Sequence, residues 1–151
     1  MRSWAIFLLA AAGIWWIDHG LKELFLDGYQ WQSSCLSLEL HLNRGVAFSM
    51  FSWLGPWLKR LQTLLIAGLF VFFLREGWIR RHPLSLGFLA GAATGNLADR
   101  FLHGAVVDYV YWHCGFDFAV FNFADVMIDL SVFLLLWQGW TEHRKARGPG
   151  K

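Results

Sequence analysis

Charged residues are scarce in this chain, at 16% of its 151 residues, whereas apolar residues make up 56%. A soluble domain of this size carries about a quarter charged residues, so the composition excludes an ordinary soluble protein and indicates lipid as the solvent. The net charge of +2 is small, and no patch interleaves basic with aromatic residues. We therefore expect no nucleic acid partner.

Cysteine is nearly absent too: Cys35 and Cys114 lie 79 positions apart. The sequence has no CxxC, HExxH or finger-like spacing, and its six histidines are scattered. These absences argue against a metal centre, and we expect no metal and no cofactor. The first apolar run lacks a small-x-small exit, so we also expect no cleavable signal peptide.

Long apolar segments are abundant. We predict an all-α integral membrane protein with four transmembrane helices, at about residues 4–25, 57–74, 83–101 and 119–140. About twenty helical residues span a bilayer's hydrocarbon core. The third segment is rich in glycine and alanine, which let transmembrane helices approach closely, so we place it at the centre of the bundle. Residues 1–151 then form a single membrane domain, with a disordered basic tail at 141–151.

The first connection, residues 27–56, has a different pattern. Its stretch LSLELHLN alternates strictly between leucine and polar residues, as a half-buried strand does. Gly45 follows Asn43 closely and indicates a turn or bulge. We predict a small extracytoplasmic β-sheet subdomain in this first outer loop, resting on the membrane, with Asn43 and Gly45 placed to hold a peptide by backbone hydrogen bonds.

The distribution of lysine and arginine predicts the orientation. Eight of the thirteen lie in the N-terminus, the loop between the second and third segments, and the tail, whereas residues 27–56 and 102–118 hold Arg44 alone. We therefore expect a multi-pass protein with both termini cytoplasmic.

Polar residues concentrate between Thr94 and Asp129, which contain five of the eleven acidic residues. Asp108 and Asp125 stand where long apolar segments meet a short connection. A carboxylate at the edge of hydrocarbon is costly unless it is paired, hydrated or functional. Helical spacing places further polar side chains beside these two, while Asp99 is predicted to point elsewhere. The predicted cluster, just inside the outer surface, comprises Asn96, Arg100, Asp108, Asn122 and Asp125.

Two interpretations of this cluster remain open from the residues alone. The side chains could simply satisfy one another between helices, in a scaffold or a small transporter subunit. Carboxylates outnumber cations at this depth, however, and a transporter more often scatters polar residues through the midplane. A carboxylate pair sharing one proton would instead perform general acid–base hydrolysis. Asp18 and Lys22, four apart on the first segment, are either a neutralised pair near the surface or a support for the site.

Four blocks of sequence resemble the lipoprotein signal peptidases, the signal peptidase II family of aspartyl intramembrane peptidases. They are IDHGLK with Asp18 and Lys22, NRGVAF from Asn43, GNLADRFLHGAVVDY from Gly95, and FNFAD ending at Asp125. The blocks occur in the family's order over nearly the whole chain, and together they are highly specific.

The resemblance implies an endopeptidase of the bacterial inner membrane that removes signal peptides from prolipoproteins. It implies cleavage on the amino side of a diacylglyceryl-cysteine, with Asp108 and Asp125 as the catalytic dyad near the outer leaflet. Its substrate-binding or dyad-supporting residues would be Asn43, Gly45, Asn96, Arg100 and Asn122, with Asp18 and Lys22 as structural supports. The expected partners are the lipidated prolipoprotein and membrane lipid, and we expect a monomer.

Asp129, one turn beyond Asp125, departs from the family pattern, as do Val126 and Met127. A third carboxylate here could repel the dyad or be protonated and structural, and we favour the protonated state. Cys35 and Cys114 would both face the oxidising side, where disulfides form. The sequence leaves open whether they are bridged.

Overall fold

The structure, a computed structural model, describes residues 1–45 and 50–148. Its helices are α1 (Arg2–Leu26), α2 (Pro56–Arg75), α3 (Trp78–Arg81), α4 (Pro83–Leu102) and α5 (Phe123–Arg147). Its strands are β1 (Trp31–Gln32), β2 (Leu36–Asn43) and β3 (Val106–Trp112). A mostly helical protein with a small sheet was predicted, and this coarse architecture is confirmed.

In the described part of the chain, α1, α2 and the long α5 are apolar and long enough to cross a membrane. Large apolar side chains lie exposed along them, for example Leu64 at 70% and Leu136 at 69%. Such exposure is costly in water but is expected against lipid. Helix α4 is 20 residues long but is not one of these three apolar spans, and it buries Asn96, Asp99 and Arg100 near its C-terminal end.

Helix α4 packs tightly against α1 along a stripe of glycines. A Cβ at Gly87 would lie 2.7 Å from that of Ala10, and one at Gly95 would lie 2.5 Å from Asp18 Oδ2. At Gly91 an added Cβ would collide with the backbone of α1. Glycine every fourth residue lets two membrane helices approach this closely. The small residues therefore bring the polar end of α4 against Asp18 and Lys22.

The sheet has three antiparallel strands in the order β1-β2-β3. Strand β2 coincides with the alternating stretch LSLELHLN. The prediction that the sheet belongs to the first outer loop alone was incomplete, because β3 comes from the connection between α4 and α5. Residues Val106 to Tyr109 are all buried, so β3 lacks the polar–apolar alternation that marks a half-exposed strand.

A bulge in β2 gives its two ends different faces. Leu38 pairs with Val110, but the next pairing joins His41 to Asp108, so β2 carries one extra residue. Strict alternation would put Ser37 and Asn43 on the same face. The extra residue instead turns Asn43 to the face that carries Asp108. The bulge is therefore what brings Asn43 to Asp108.

Helix α5 begins and ends later than the predicted segment 119–140. Asn122 caps its N-terminus by accepting a hydrogen bond from Asp125 N–H, and the Asp125 side chain accepts one from the Asn122 N–H. This reciprocal capping box fixes the first turn at Phe123. The helix continues to Arg147, so residues 141–147 of the predicted disordered tail are helical. Basic residues in the last turn stabilise the C-terminal end of a helix.

Candidate active site

Lys22 occupies the centre of a buried ionic cluster between α1 and α4. Its Nζ lies 2.7 Å from Asp18 Oδ2 and 2.7 Å from Asp99 Oδ2, and it donates to Asn96 Oδ1 at 2.8 Å. Lys22 and Asp18 are each 1% exposed. All three ammonium donors thus have partners, as a buried lysine requires.

The two carboxylates of this cluster also bind backbone. Asp18 Oδ1 accepts from Ala124 N–H at the start of α5, at 3.0 Å. Asp99 Oδ2 accepts from Val107 N–H in β3, at 3.1 Å. The cluster therefore connects α1, α4, β3 and α5, which supports the structural interpretation of Asp18 and Lys22. Asp99 was predicted to point away from the face of Asn96 and Arg100. It pairs with Lys22 on α1, a partner that helical spacing within α4 alone could not identify.

Asn122 joins the two carboxylates that were predicted to act together. Its amide Nδ2 donates to Asp108 Oδ1 at 2.7 Å and approaches Asn96 Oδ1 at 3.0 Å. Its backbone N–H donates to Asp125 Oδ2 at 3.1 Å. Asn122 is fully buried. Through these hydrogen bonds, one residue sets both the start of α5 and the position of Asp108.

Each carboxylate has a second amide donor. Asn43 Nδ2 donates to Asp108 Oδ2 at 3.0 Å. Asn96 Nδ2 donates to Asp125 Oδ1 at 2.8 Å. Both aspartates line one cavity of about 360 Å³. Asp108 enters it from β3, not from a loop as predicted, and Asp125 from the first turn of α5.

Burial raises the pKa of Asp108 to about 6, and the nearby charge of Asp125 acts in the same direction. Hydrogen bonds from Asn43 and Asn122 favour the ionised form and lower this pKa. Two nearby carboxylates ionise together less readily than either does alone. The raised pKa makes the protonated form of Asp108 more accessible near neutral pH than that of an ordinary aspartate.

Arg100 lies beside the carboxylates and is 7% exposed. Its Nη2 donates to the carbonyl oxygen of Gly45, whose N–H in turn donates to Asn43 Oδ1 at 3.0 Å. Arg100 thereby ties Gly45, just after β2, to the C-terminal end of α4. The rest of the NRGVAF block, residues 46–48, lies outside the described part of the chain.

Besides apolar residues, the structure adds two polar side chains to the cavity wall. Gln62 reaches it from α2, and no sequence signal singled it out within a membrane-length segment. Asp129 also lines it, on the exposed side of α5. Among the described residues, no group of three or more His, Cys, Asp or Glu side chains is arranged to hold a metal ion.

Cys35 and Cys114 form a disulfide in the structure, a pairing that the sequence left open. Cys35 precedes β2 and Cys114 follows β3, so the bond joins the ends of the paired strands. His113 N–H also donates to the Cys35 carbonyl at 3.0 Å. The disulfide therefore fixes the sheet end remote from Asn43 and Asp108.

The fold is shared with two solved bacterial membrane enzymes, both determined by the in meso method. One, at 2.3 Å resolution, matches with a TM-score of 0.80 and 22% identity over 96% of this chain and 93% of its own. The other, at 1.9 Å resolution, has a TM-score of 0.73 and 24% identity over 87% and 90%. The likeness shows that this chain shares their fold.

Sequence relatives are more specific. The family described as Signal peptidase (SPase) II matches residues 5–141. A lipoprotein signal peptidase of Sulfurovum sp. (strain NBC37-1) is 58% identical over 136 residues, covering 90% of this chain and 93% of the relative. One from Wolinella succinogenes is 49% identical over 138 residues, covering 91% and 92%. The chain belongs to the signal peptidase II family, as its sequence blocks predicted.

Proposed function

We propose that the protein is an aspartic endopeptidase that removes signal peptides from prolipoproteins, cutting on the amino side of a diacylglyceryl-cysteine. Family membership supports the peptidase activity and the prolipoprotein substrate, and it confirms the predicted removal of signal peptides from prolipoproteins. The catalytic assignment rests on one observation: Asp108 and Asp125 come from different elements yet line the same cavity.

The proposed reaction is hydrolysis by an activated water without a covalent intermediate. The ionised member of the pair takes a proton from water as that water attacks the scissile carbonyl carbon. The protonated member donates to the carbonyl oxygen. The tetrahedral intermediate collapses when the C–N bond breaks and a proton passes to the leaving amine. The products are a signal peptide with a new carboxylate and a lipoprotein with a free amino group on its cysteine.

Asp108 is the member that we propose starts the reaction protonated, because burial favours its neutral form. Asp125 also accepts two hydrogen bonds, as Asp108 does, but it is only half-buried whereas Asp108 is buried, so its carboxylate is easier to keep ionised. The ionised base is therefore assigned to Asp125. The pair titrates as a unit, so this describes the most populated arrangement of one shared proton.

The buried ionic cluster around Lys22 does hold helices together, as the alternative hypothesis expects. Lys22, Asp18 and Asp99 neutralise and hydrogen-bond one another away from the cavity. Asp108 and Asp125 differ because they line open space in which a peptide bond can lie. We propose that Asn43, Gly45 and Arg100 position the peptide, since they are bonded to one another at the edge of that space.

We further propose four membrane spans, with α4 as the fourth, and both termini in the cytoplasm of a bacterial inner-membrane protein. The basic residues at 80, 81, 144 and 145 support this orientation because they cluster at the same end of the helices. The carboxylate pair then lies near the outer leaflet. The proposed working state is a monomer surrounded by lipid.

The test is incubation of purified protein with two prolipoprotein peptides that differ only in the diacylglyceryl group. We expect a mass-mapped cut before cysteine in the lipidated peptide and none in the other. Asp108→Asn and Asp125→Asn should abolish it, whereas Asp27→Asn, an exposed carboxylate at the end of α1, should not. Equal cleavage of both peptides would contradict the lipid requirement, and activity in either cavity variant would remove that residue from the dyad.

A further inference from the structure

A second cavity, of about 440 Å³, lies between α1, α2 and α4. Its walls are almost entirely apolar and include Ile66, Phe70, Phe73, Leu86 and Leu89. Cavities of about 300–1,000 Å³ are typical of small-ligand sites. We call this the apolar groove.

The apolar groove begins where the catalytic cavity ends. On α2, Gln62 lines the catalytic cavity and the next residue, Thr63, lines the groove. On α4, Asn96 and Arg100 line the catalytic cavity, and the residues that line the groove run from Leu97 back to Leu86. The two cavities therefore follow one another along the cleft between α2 and α4. The groove is therefore within reach of a lipid attached to a cysteine at Asp108 and Asp125.

The groove's length matches one acyl chain. It extends from Thr63 to Phe73 on α2 and from Leu97 to Leu86 on α4. At 1.5 Å per residue each wall is about 15 Å long. One leaflet is half of a hydrocarbon core of about 30 Å, so its acyl chains reach about the same depth. Ile79, which is 2% exposed, and Leu86 lie at the inner end.

We propose that the apolar groove holds one acyl chain of the substrate's diacylglyceryl group while the cysteine lies at the carboxylate pair. This inference rests on the proposed function. Lipid around the protein is as apolar as the groove, so transfer of the chain from bilayer to groove contributes little affinity. The groove acts by orientation: a chain seated along α2 and α4 fixes the depth of the scissile bond relative to Asp108 and Asp125. Misplacement by about 1 Å can reduce a rate about 100-fold.

The first test locates the chain directly. A lipidated prolipoprotein peptide with a diazirine at the end of one hexadecanoyl chain is bound to full-length Asp108→Asn protein in bilayer nanodiscs and irradiated. We expect crosslinks at groove residues near the inner end, such as Phe70, Phe73 and Leu86. Crosslinks spread over lipid-facing positions outside the groove, such as Leu64 and Leu65, would show bulk lipid contact and overturn the proposal.

The second test fills the groove. Ala67 lines it and is exposed, so Ala67→Phe adds bulk without disturbing a packed core. Ala12→Phe on α1 is the matched control, because Ala12 is also exposed but does not line the groove. We expect Ala67→Phe to lower kcat/KM at least about tenfold for a hexadecanoyl substrate and to leave an octanoyl substrate within about twofold.

Each other outcome has a definite meaning. Equal effects of Ala67→Phe on both chain lengths, or no effect on either, would overturn the groove assignment. Wild-type protein that cleaves neither lipidated peptide would contradict the proposed function itself. Wild-type cleavage with crosslinks outside the groove would leave the function intact and reject only the groove.

Discussion

Asn122 offers the sharpest test of how structure and chemistry are linked at this site. Its Oδ1 caps α5 through Asp125 N–H at 2.9 Å, and its Nδ2 donates to Asp108 Oδ1 at 2.7 Å. Asn122→Ala removes both interactions. Asn122→Ser keeps a capping oxygen but lacks the amide reach to Asp108. The two variants therefore separate the helix cap from the carboxylate contact.

The structure gives the expected magnitudes. Loss of an N-cap costs about 1 kcal/mol. A buried acceptor left without its donor costs about 1–3 kcal/mol. Asp108 Oδ1 is such an acceptor, whereas Asn96 Oδ1 keeps its hydrogen bond from Lys22. We expect Asn122→Ala to lower the free energy of unfolding by about 2–4 kcal/mol, and Asn122→Ser by about 1 kcal/mol less than that.

The two variants should differ in stability but lose activity to a similar extent. Both variants remove the same amide donor from Asp108, so both should lose at least about tenfold in kcat/KM, the equivalent of about 1.4 kcal/mol. The assays are denaturant titration of purified protein in detergent and cleavage of the lipidated peptide. Equal stability of the two variants would refute the cap, and wild-type activity of Asn122→Ser would refute the role of the Asp108 contact.

Other predictions concern charge, the disulfide and pH. Lys22→Met should destabilise the fold by about 3–5 kcal/mol in the same denaturant titration, because it leaves two buried carboxylates without their cation; a loss below about 1 kcal/mol would contradict the ionic cluster. Paired Cys35→Ser and Cys114→Ser substitutions should lower stability by up to about 4–5 kcal/mol, the loop-closure limit for residues 79 apart. Intact-mass analysis of unreduced wild-type protein should show two hydrogens fewer than after reduction, and equal masses would exclude the bond. Because the pKa of Asp108 is raised to about 6, the singly protonated pair is lost as pH rises through that value. The pH profile of kcat/KM should therefore decrease above about pH 6, and a profile that rises from pH 6 to 8 would contradict the assignment of the acid.

Much of the architecture could be predicted from local sequence. Apolar length predicted where the long helices lie, and alternation over LSLELHLN predicted β2. Junction position singled out Asp108 and Asp125, and the structure places both at one cavity. Their catalytic role remains a prediction, because proximity alone does not demonstrate chemistry.

The remaining features depend on contacts between distant segments. Asp99 on α4 pairs with Lys22 on α1, 77 positions earlier in the chain. Periodicity within either helix cannot reveal this contact. The first four residues of β3 are buried on both faces, so this strand lacks the alternation that identified β2. The bulge that turns Asn43 toward Asp108 appears only when the two strands are paired. Helix α5 ends beyond the apolar run. Its last turns are basic but still helical, and a pattern of apolar residues does not predict them.

The carboxylate pair is tested most directly by single-turnover cleavage of the lipidated peptide in Asp108→Asn, Asp125→Asn and the double variant. Residues that act as one unit give non-additive losses, since removal of either disables the whole. We predict that both single variants fall to the same residual rate as the double variant, while all three remain folded and membrane-inserted. Losses that multiply in the double variant, or wild-type cleavage by either single variant, would contradict a shared-proton dyad.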